Sequence, residues 1–240
     1  MTKLKSGRLL VIDAARGAAI AGVVLFHIVW DLEFTGFISG MASHPLWLVF
    51  GRSLAGSFMF LAGLSLVLAH GVQFRTQTFF RRLGVIAIAA LAITIITLLA
   101  FPNAFVYFGI LHSIAVASLI GVVFLKLPAS ASLLTGFVML ALPWIISLPA
   151  FDPRWMAWIG FSANPPLSND FVPVFPWAGL TLLGIACAKA VDIDKNPLIS
   201  AGVDSPFLSK LAWLGRHSLA IYLIHQPVML AIIVPLSRLF

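Results

Sequence analysis

The chain has 240 residues, 61% of them hydrophobic and only 10% charged, with a mean hydropathy of +1.06. Soluble domains are nearer ~45–50% apolar and ~25% charged, so a water-facing fold is excluded: too few polar side chains exist to cover the apolar mass. The net charge of +7 reads as the positive-inside bias of a membrane protein and not as a nucleic-acid footprint. The single cysteine, Cys187, excludes an internal disulfide framework and a multi-cysteine metal site.

A span needs roughly 20 mostly apolar residues. In chain order, candidates fall at about 10–32, 46–70, 83–100, 106–125, 130–148, 172–190 and 212–237. They predict an all-α polytopic transmembrane helix bundle of about seven spans, forming one domain over residues 1–240. Lys3, Lys5 and Arg8 ahead of the first apolar run imitate a signal peptide. That run is too long, holds Asp13 and Arg16 and lacks a convincing cleavage site, so a retained first span is expected. Short joints follow at His44-Pro45, Arg81-Arg82, Phe101-Pro102-Asn103 and Lys126-Leu127-Pro128. Two connections are longer: 149–171, with Pro149, Pro153, Pro165 and Pro166, and 191–211, with Asp192, Asp194, Lys195 and Asp204. With the N-terminus cytoplasmic, the inner side collects Lys3, Lys5, Arg8, Arg75, Arg81, Arg82, Lys126, Lys189, Lys195 and Lys210, and the outer side Arg154 and Arg238. That bias favours this orientation, and an odd span count then puts the C-terminus outside. Trp30, Trp47, Trp144, Trp155, Trp158 and Trp177 all fall near the predicted outer face, where an aromatic belt sits.

The first predicted span carries a stripe of ionisable residues. At about 100° per residue, Arg16 and His27 align to within ~20° and stand ~16 Å apart along the axis. Asp31 is one turn beyond His27, the spacing at which side chains meet, and Asp13 falls on the same arc. Each ionisable group in a span costs ~2.5–3.5 kcal/mol on insertion scales, so such groups line cavities or pair with one another. Asp13 and Arg16 have a plain reading as a pair near the inner interface. For His27 and Asp31 the expectation is chemical. The carboxylate accepts one ring N–H and fixes the tautomer, and the other ring nitrogen takes a proton from a substrate.

These residues resemble a family. The R-x10-H spacing of Arg16 and His27 looks like the first-helix motif of the transmembrane acyltransferase superfamily. The ordered set DAARG…LFHIVWDL, FGRSLAGSFMFLAGLSL (50–66), FGILHSIAVAS (108–118), FPWAGLTLLGI (175–185) and LGRHSLAIYLIHQP (214–227) is similar to the heparan-α-glucosaminide N-acetyltransferase catalytic-domain-like bacterial proteins. The resemblance implies an integral membrane enzyme, in the bacterial cytoplasmic (inner) membrane. It would move an acyl group, acetyl above all, from cytoplasmic acyl-CoA to a hydroxyl or amine of an extracytoplasmic glycan or lipid-linked acceptor. On this reading acetyl-CoA or another acyl-CoA is the donor and its pantetheine arm runs along the Arg16 side of the first helix. His27, oriented by Asp31, is the base or the transient acyl carrier. His44, in the first outer loop, is the second candidate histidine.

Other polar residues fit around that frame. Arg52, about two turns inside the second span, either counters Asp31 or holds an anionic acceptor or the reacting carbonyl. His112 in the fourth span either packs by hydrogen bonding or joins Arg52 in polarising the thioester. Ser218, Tyr222 and His225 recur on one face of the last span, followed by Gln226 and by Pro227, which leaves the Leu223 carbonyl without its helical donor. His27, Asp31, Arg52, His112 and His225 are expected to share one cavity. Arg81 and Arg82, with Arg75 and Arg216, either set topology or hold the phosphates of coenzyme A. Gly56 and Gly63, with Ala55, Ala62 and Ser65, predict a close-packing second helix. The six histidines show no H-x3-H spacing, so no metal site is expected. No nucleic-acid partner is expected, and a homo-oligomer is compatible with the sequence. A proton-coupled small-molecule transporter and a non-catalytic membrane subunit are the alternatives; the absence of an inverted repeat weighs against the transporter.

Overall fold

The computed structural model describes residues 3–191 and 205–239, with side chains from Leu10 onward. Asp192, Asp194, Lys195 and Asp204 of the predicted second long connection, and the side chains of Lys3, Lys5 and Arg8, lie outside the described residues. The described chain is helical: α1 Lys3–Phe34, α2 Pro45–His70, α3 Thr76–Ala100, α4 Ile110–Phe124, α5 Ala129–Ile145, the single turn α6 Arg154–Ala157, α7 Val174–Ala190, α8 Pro206–Arg216 and α9 Ser218–Leu236. Among the described residues two isolated bridges, Phe108 with Phe171 and Leu148 with Ser162, are the β pairing.

Among the described residues four helical segments are long and apolar enough to cross a membrane: Leu10–Phe34, Pro45–His70, Thr76–Ala100 and Ser218–Leu236. The expected spans at 106–125, 130–148 and 172–190 fold as shorter apolar helices, Ile110–Phe124, Ala129–Ile145 and Val174–Ala190. At 1.5 Å per residue these rise roughly 22–26 Å, less than the ~30 Å hydrocarbon core. The shortening has local causes. Residues 101–109 fold back onto α3 instead of extending α4: the Val106 N–H donates to Thr97 Oγ1 (2.9 Å), and Thr94 Oγ1 donates to the Val106 carbonyl (2.7 Å). Pro128 and Pro173 stand immediately before α5 and α7, where a proline ring fits a helix start.

Two other boundaries differ from expectation. Helix α3 starts at Thr76, so Arg81 and Arg82 ride on its exposed first turns and are not a joint; arginine is a good helix former. The predicted span 212–237 is two helices, α8 and α9, divided at His217. His217 has φ −102° and ψ 10°, outside the helical well, and its N–H reaches back to the carbonyls of Trp213 and Leu214.

The chain divides into two compact units, residues 1–58 with 195–240 and residues 59–194. In the first, α1 packs along α8 and α9. Helices α1 and α8 meet backbone to backbone. A Cβ on Gly17 would strike the Leu211 carbonyl oxygen, and one on Gly215 would strike the Asp13 carbonyl oxygen. Beyond this crossing Ile20, Val23 and Leu54 form a buried core, flanked by Phe26, Phe50, Phe58, Leu214, Ile221 and Tyr222. The end of α1 is a Schellman turn. Gly36 sits at φ +85°, its N–H bonded to the Glu33 carbonyl and that of Phe37 to the Leu32 carbonyl. Glu33 Oε2 then accepts the N–H groups of Met41 (2.8 Å) and Ala42 (2.6 Å), which pins the loop leading to α2 onto the end of α1.

In the second unit α7 is the central helix, packed on α4 and α5. It also bonds to the second half of α2: the buried Thr181 hydroxyl donates to the Met59 carbonyl at 3.0 Å. Gly63 faces the Thr181 carbonyl and Gly184 the Phe60 carbonyl too closely for any side chain, so the small-residue pattern read at Gly63 serves a backbone contact with α7. Lys189 Nζ donates to the carbonyls of Phe124 and Leu127, both at 2.6 Å, and closes the C-terminal end of α4. The long connection is held by Asp152, which accepts from Ser162 Oγ (2.7 Å) and the Asn164 N–H (2.8 Å). Those bonds, the Asn164 backbone one first, hold its carboxyl below the usual carboxylate range.

Candidate active site

Helix α1 carries His27 with its Nδ1 2.9 Å from the Val23 carbonyl, one turn back along the same helix. A carbonyl oxygen only accepts, so Nδ1 holds a hydrogen, and in the neutral ring Nε2 holds the lone pair. Helix α9 repeats the arrangement. His225 Nδ1 lies 2.8 Å from the Tyr222 carbonyl and 3.2 Å from that of Ile221, and its Nε2 is buried without a partner. The two imidazoles meet edge to face, with centroids 4.8 Å apart and planes at 72°. The Phe26 ring closes on His27 at 5.6 Å and Tyr222 on His225 at 5.7 Å. Two imidazoles thus sit against each other in an aromatic surround, each with its Nδ1 locked by its own helix.

One turn beyond His27, Asp31 is fully buried, at 0% exposure. The expected bond between His27 and Asp31 is not made. The imidazole takes the nearer backbone acceptor, and Asp31 Oδ1 accepts from Gln226 Nε2 at 2.6 Å. Asp31 Oδ2 and Gln226 Oε1 are buried with no partner. Leaving such a group unpaired costs about 1–3 kcal/mol, more when it is charged. A folded chain retains that cost where a ligand, a proton or a moving group supplies the missing donor.

The remaining expected residues take varied positions. Tyr222 packs on the Ile20–Val23–Leu54 core beside His225. Arg16 Nη1 bonds to Asp13 Oδ1 at 3.0 Å, the plain pairing foreseen, and Arg216 approaches the other Asp13 oxygen at 4.0 Å. Arg52 is exposed on α2, and Asp31 is held by Gln226 and not by an arginine. His44 is exposed, and its Nδ1 accepts the Leu46 N–H at 3.3 Å at the start of α2. His112, in the second unit, has both ring nitrogens engaged: Nδ1 accepts the Gly109 N–H at 3.1 Å and Nε2 lies 3.3 Å from Thr94 Oγ1. With Asp170 Oδ2 accepting the Ile110 N–H at 2.9 Å, it closes the N-terminal turn of α4. Arg81 and Arg82 are exposed at the start of α3. Among the described residues no group of three or more His, Cys, Asp or Glu side chains is arranged to hold a metal ion.

The sequence reading named Gln226 without giving it a role and passed over the Val23 carbonyl. Gln226 had a signal, an amide within the apolar run IYLIHQPVML, where an uncharged polar side chain is usually interhelical glue. The Val23 carbonyl had none, because every helical residue offers the same acceptor.

A helical membrane protein with imidazoles, a carboxylate and an amide gathered on apolar helices is equipped for proton-coupled group chemistry inside the bilayer. The family model described as heparan-alpha-glucosaminide N-acetyltransferase, catalytic, matches residues 8–227. The chain belongs to that family of membrane acetyltransferases, as the first-helix and last-helix motifs had implied. Neither the curated proteins nor the solved structures contain a significant match to it.

Proposed function

We propose that the protein is an acyl-CoA-dependent transferase of the bacterial inner membrane. It moves an acetyl group from cytoplasmic acetyl-CoA to a hydroxyl or amine of an extracytoplasmic glycan or lipid-linked acceptor. The observation that carries this reading is the His27–His225 pair, with both Nδ1 hydrogens held by backbone carbonyls and buried Asp31 one turn away. His27 Nε2 takes the proton of the acceptor hydroxyl or amine as that group bonds to the acyl carbon. The C–S bond of the thioester breaks with its electron pair on sulfur, and the CoA thiolate leaves on the donor side. His225 stands as the second base. Asp31 stabilises the imidazolium that forms. Tyr222 and Arg16 flank the coenzyme's path, and Arg52 polarises the thioester carbonyl. A single domain over 1–240 is proposed, crossing the membrane about seven times with its N-terminus inside and its C-terminus outside.

The test is transfer by the purified full chain in lipid nanodiscs. Labelled acetyl-CoA is the donor, and glucosamine heads a panel of amine and hydroxyl acceptors. Acceptor-dependent label transfer with release of CoA thiol supports the reading. Absence of CoA binding and of transfer across the panel overturns it, and pH-driven solute flux in proteoliposomes without CoA would put a proton-coupled transporter in its place.

A further inference from the structure

Among the described residues of the first unit, four buried side-chain atoms have no hydrogen-bond partner: Asp31 Oδ2, Gln226 Oε1, His225 Nε2 and Trp47 Nε1. The first two are acceptors, and His225 Nε2 is one in the neutral ring, whose hydrogen is donated from Nδ1. Gln226 joins them. It follows His225 in the chain, and its amide nitrogen reaches from α9 to Asp31 on α1 at 2.6 Å. Asp31 Oδ1 is thereby committed and Oδ2 is left open. The kind of donor matters. An apolar side chain at position 226 would leave both carboxylate oxygens loose, and a lysine or arginine would neutralise the carboxylate. An amide holds the group in place and leaves its charge available.

We propose that Gln226 is a positioning residue of the transfer site: its side-chain amide clamps Asp31 Oδ1, so that Oδ2 stays uncommitted one helical turn beyond His27. The proposal rests on the acyl-transfer reading above. In that reaction the proton leaving the acceptor passes to an imidazole Nε2, and the held carboxylate stabilises the resulting positive charge without itself taking the proton. Gln226 touches neither donor nor acceptor; it acts through Asp31.

The experiment uses the full chain in nanodiscs, acetyl-CoA and glucosamine. The variants are Gln226→Met, Asp31→Asn and the exchanged pair Asp31→Asn/Gln226→Glu. The exchange keeps one amide and one carboxylate facing each other but moves the carboxylate from α1 to α9. Gln226→Met is expected to lower kcat at least ten-fold with an unchanged KM for acetyl-CoA. The exchanged pair is expected to recover most of the unfolding temperature lost in the single variants, yet to transfer no faster than Asp31→Asn alone. Wild-type kcat in Gln226→Met overturns the proposal. So does an exchanged pair that recovers transfer together with stability, because the contact is then only a clip between helices. If the wild-type chain shows no CoA-dependent transfer, the acyl-transfer reading fails on its own. The unfolding temperatures still decide the contact: additive losses in the single and exchanged variants overturn the clamp, and coupled losses support the Gln226–Asp31 contact on which it depends.

Discussion

A histidine that gives its Nδ1 hydrogen to its own helix has one nitrogen left for chemistry, and in the proposed site His27 and His225 are both in that state. Replacing His27 with alanine removes the base but no bond other than the one to the Val23 carbonyl. Transfer of labelled acetyl is expected to fall by about 10²–10⁴-fold, with helical circular dichroism and unfolding temperature retained. The buried Thr181 hydroxyl has a purely structural partner, the Met59 carbonyl, so Thr181→Val should cost about 1 kcal/mol in denaturant unfolding and leave transfer unchanged. Asp152 makes a pH-dependent contribution. Its carboxyl is held below the ordinary carboxylate range by Asn164 and Ser162. Its contribution to stability is therefore complete above that range and lost as pH falls through the lowered folded-state value. Tryptophan emission, reporting on nearby Trp155 and Trp158, should show an acid transition that Asp152→Asn removes; an identical transition in the variant would assign it to other groups.

Contacts between helices depend on different physics. In lipid, apolar surface gives little drive for helices to associate, so close backbone packing carries the association. The α1–α8 crossing at Gly17 and Gly215 has no room for a Cβ on either side, and the carbonyls they face belong to rigid helical backbone. Gly17→Val is expected to destabilise by about 1–3 kcal/mol through overpacking. Gly84→Ala on α3, where nothing lies within 4 Å, serves as the control and is expected to be neutral or stabilising by up to about 1 kcal/mol. Thermal unfolding of the two variants in one detergent measures the contrast.

Across the whole molecule, the proposed orientation predicts which connections face which side. Val72, 93% exposed between α2 and α3, should be labelled by an impermeant maleimide from the cytoplasmic side once changed to cysteine in a Cys187→Ser background. Ser43→Cys, between α1 and α2, should be labelled from the outside; the reverse pattern would invert the topology. Much of the molecule was legible in the chain itself. Composition required a membrane protein, because 61% apolar residues cannot be hidden from water at this length, and apolar runs of about 20 residues made it helical. Helical periodicity placed His27 and Asp31 one turn apart, and motif order pointed to the family. Periodicity describes one helix at a time, however, and hydropathy sees neither a helix cut short by a folded-back loop nor one divided at a residue such as His217. It could not show that His27 would take the Val23 carbonyl in preference to Asp31, or that Asp31 would be claimed by Gln226, 195 residues further along the chain. Those choices depend on which donors and acceptors α9 brings against α1, and only packing in three dimensions sets that distance.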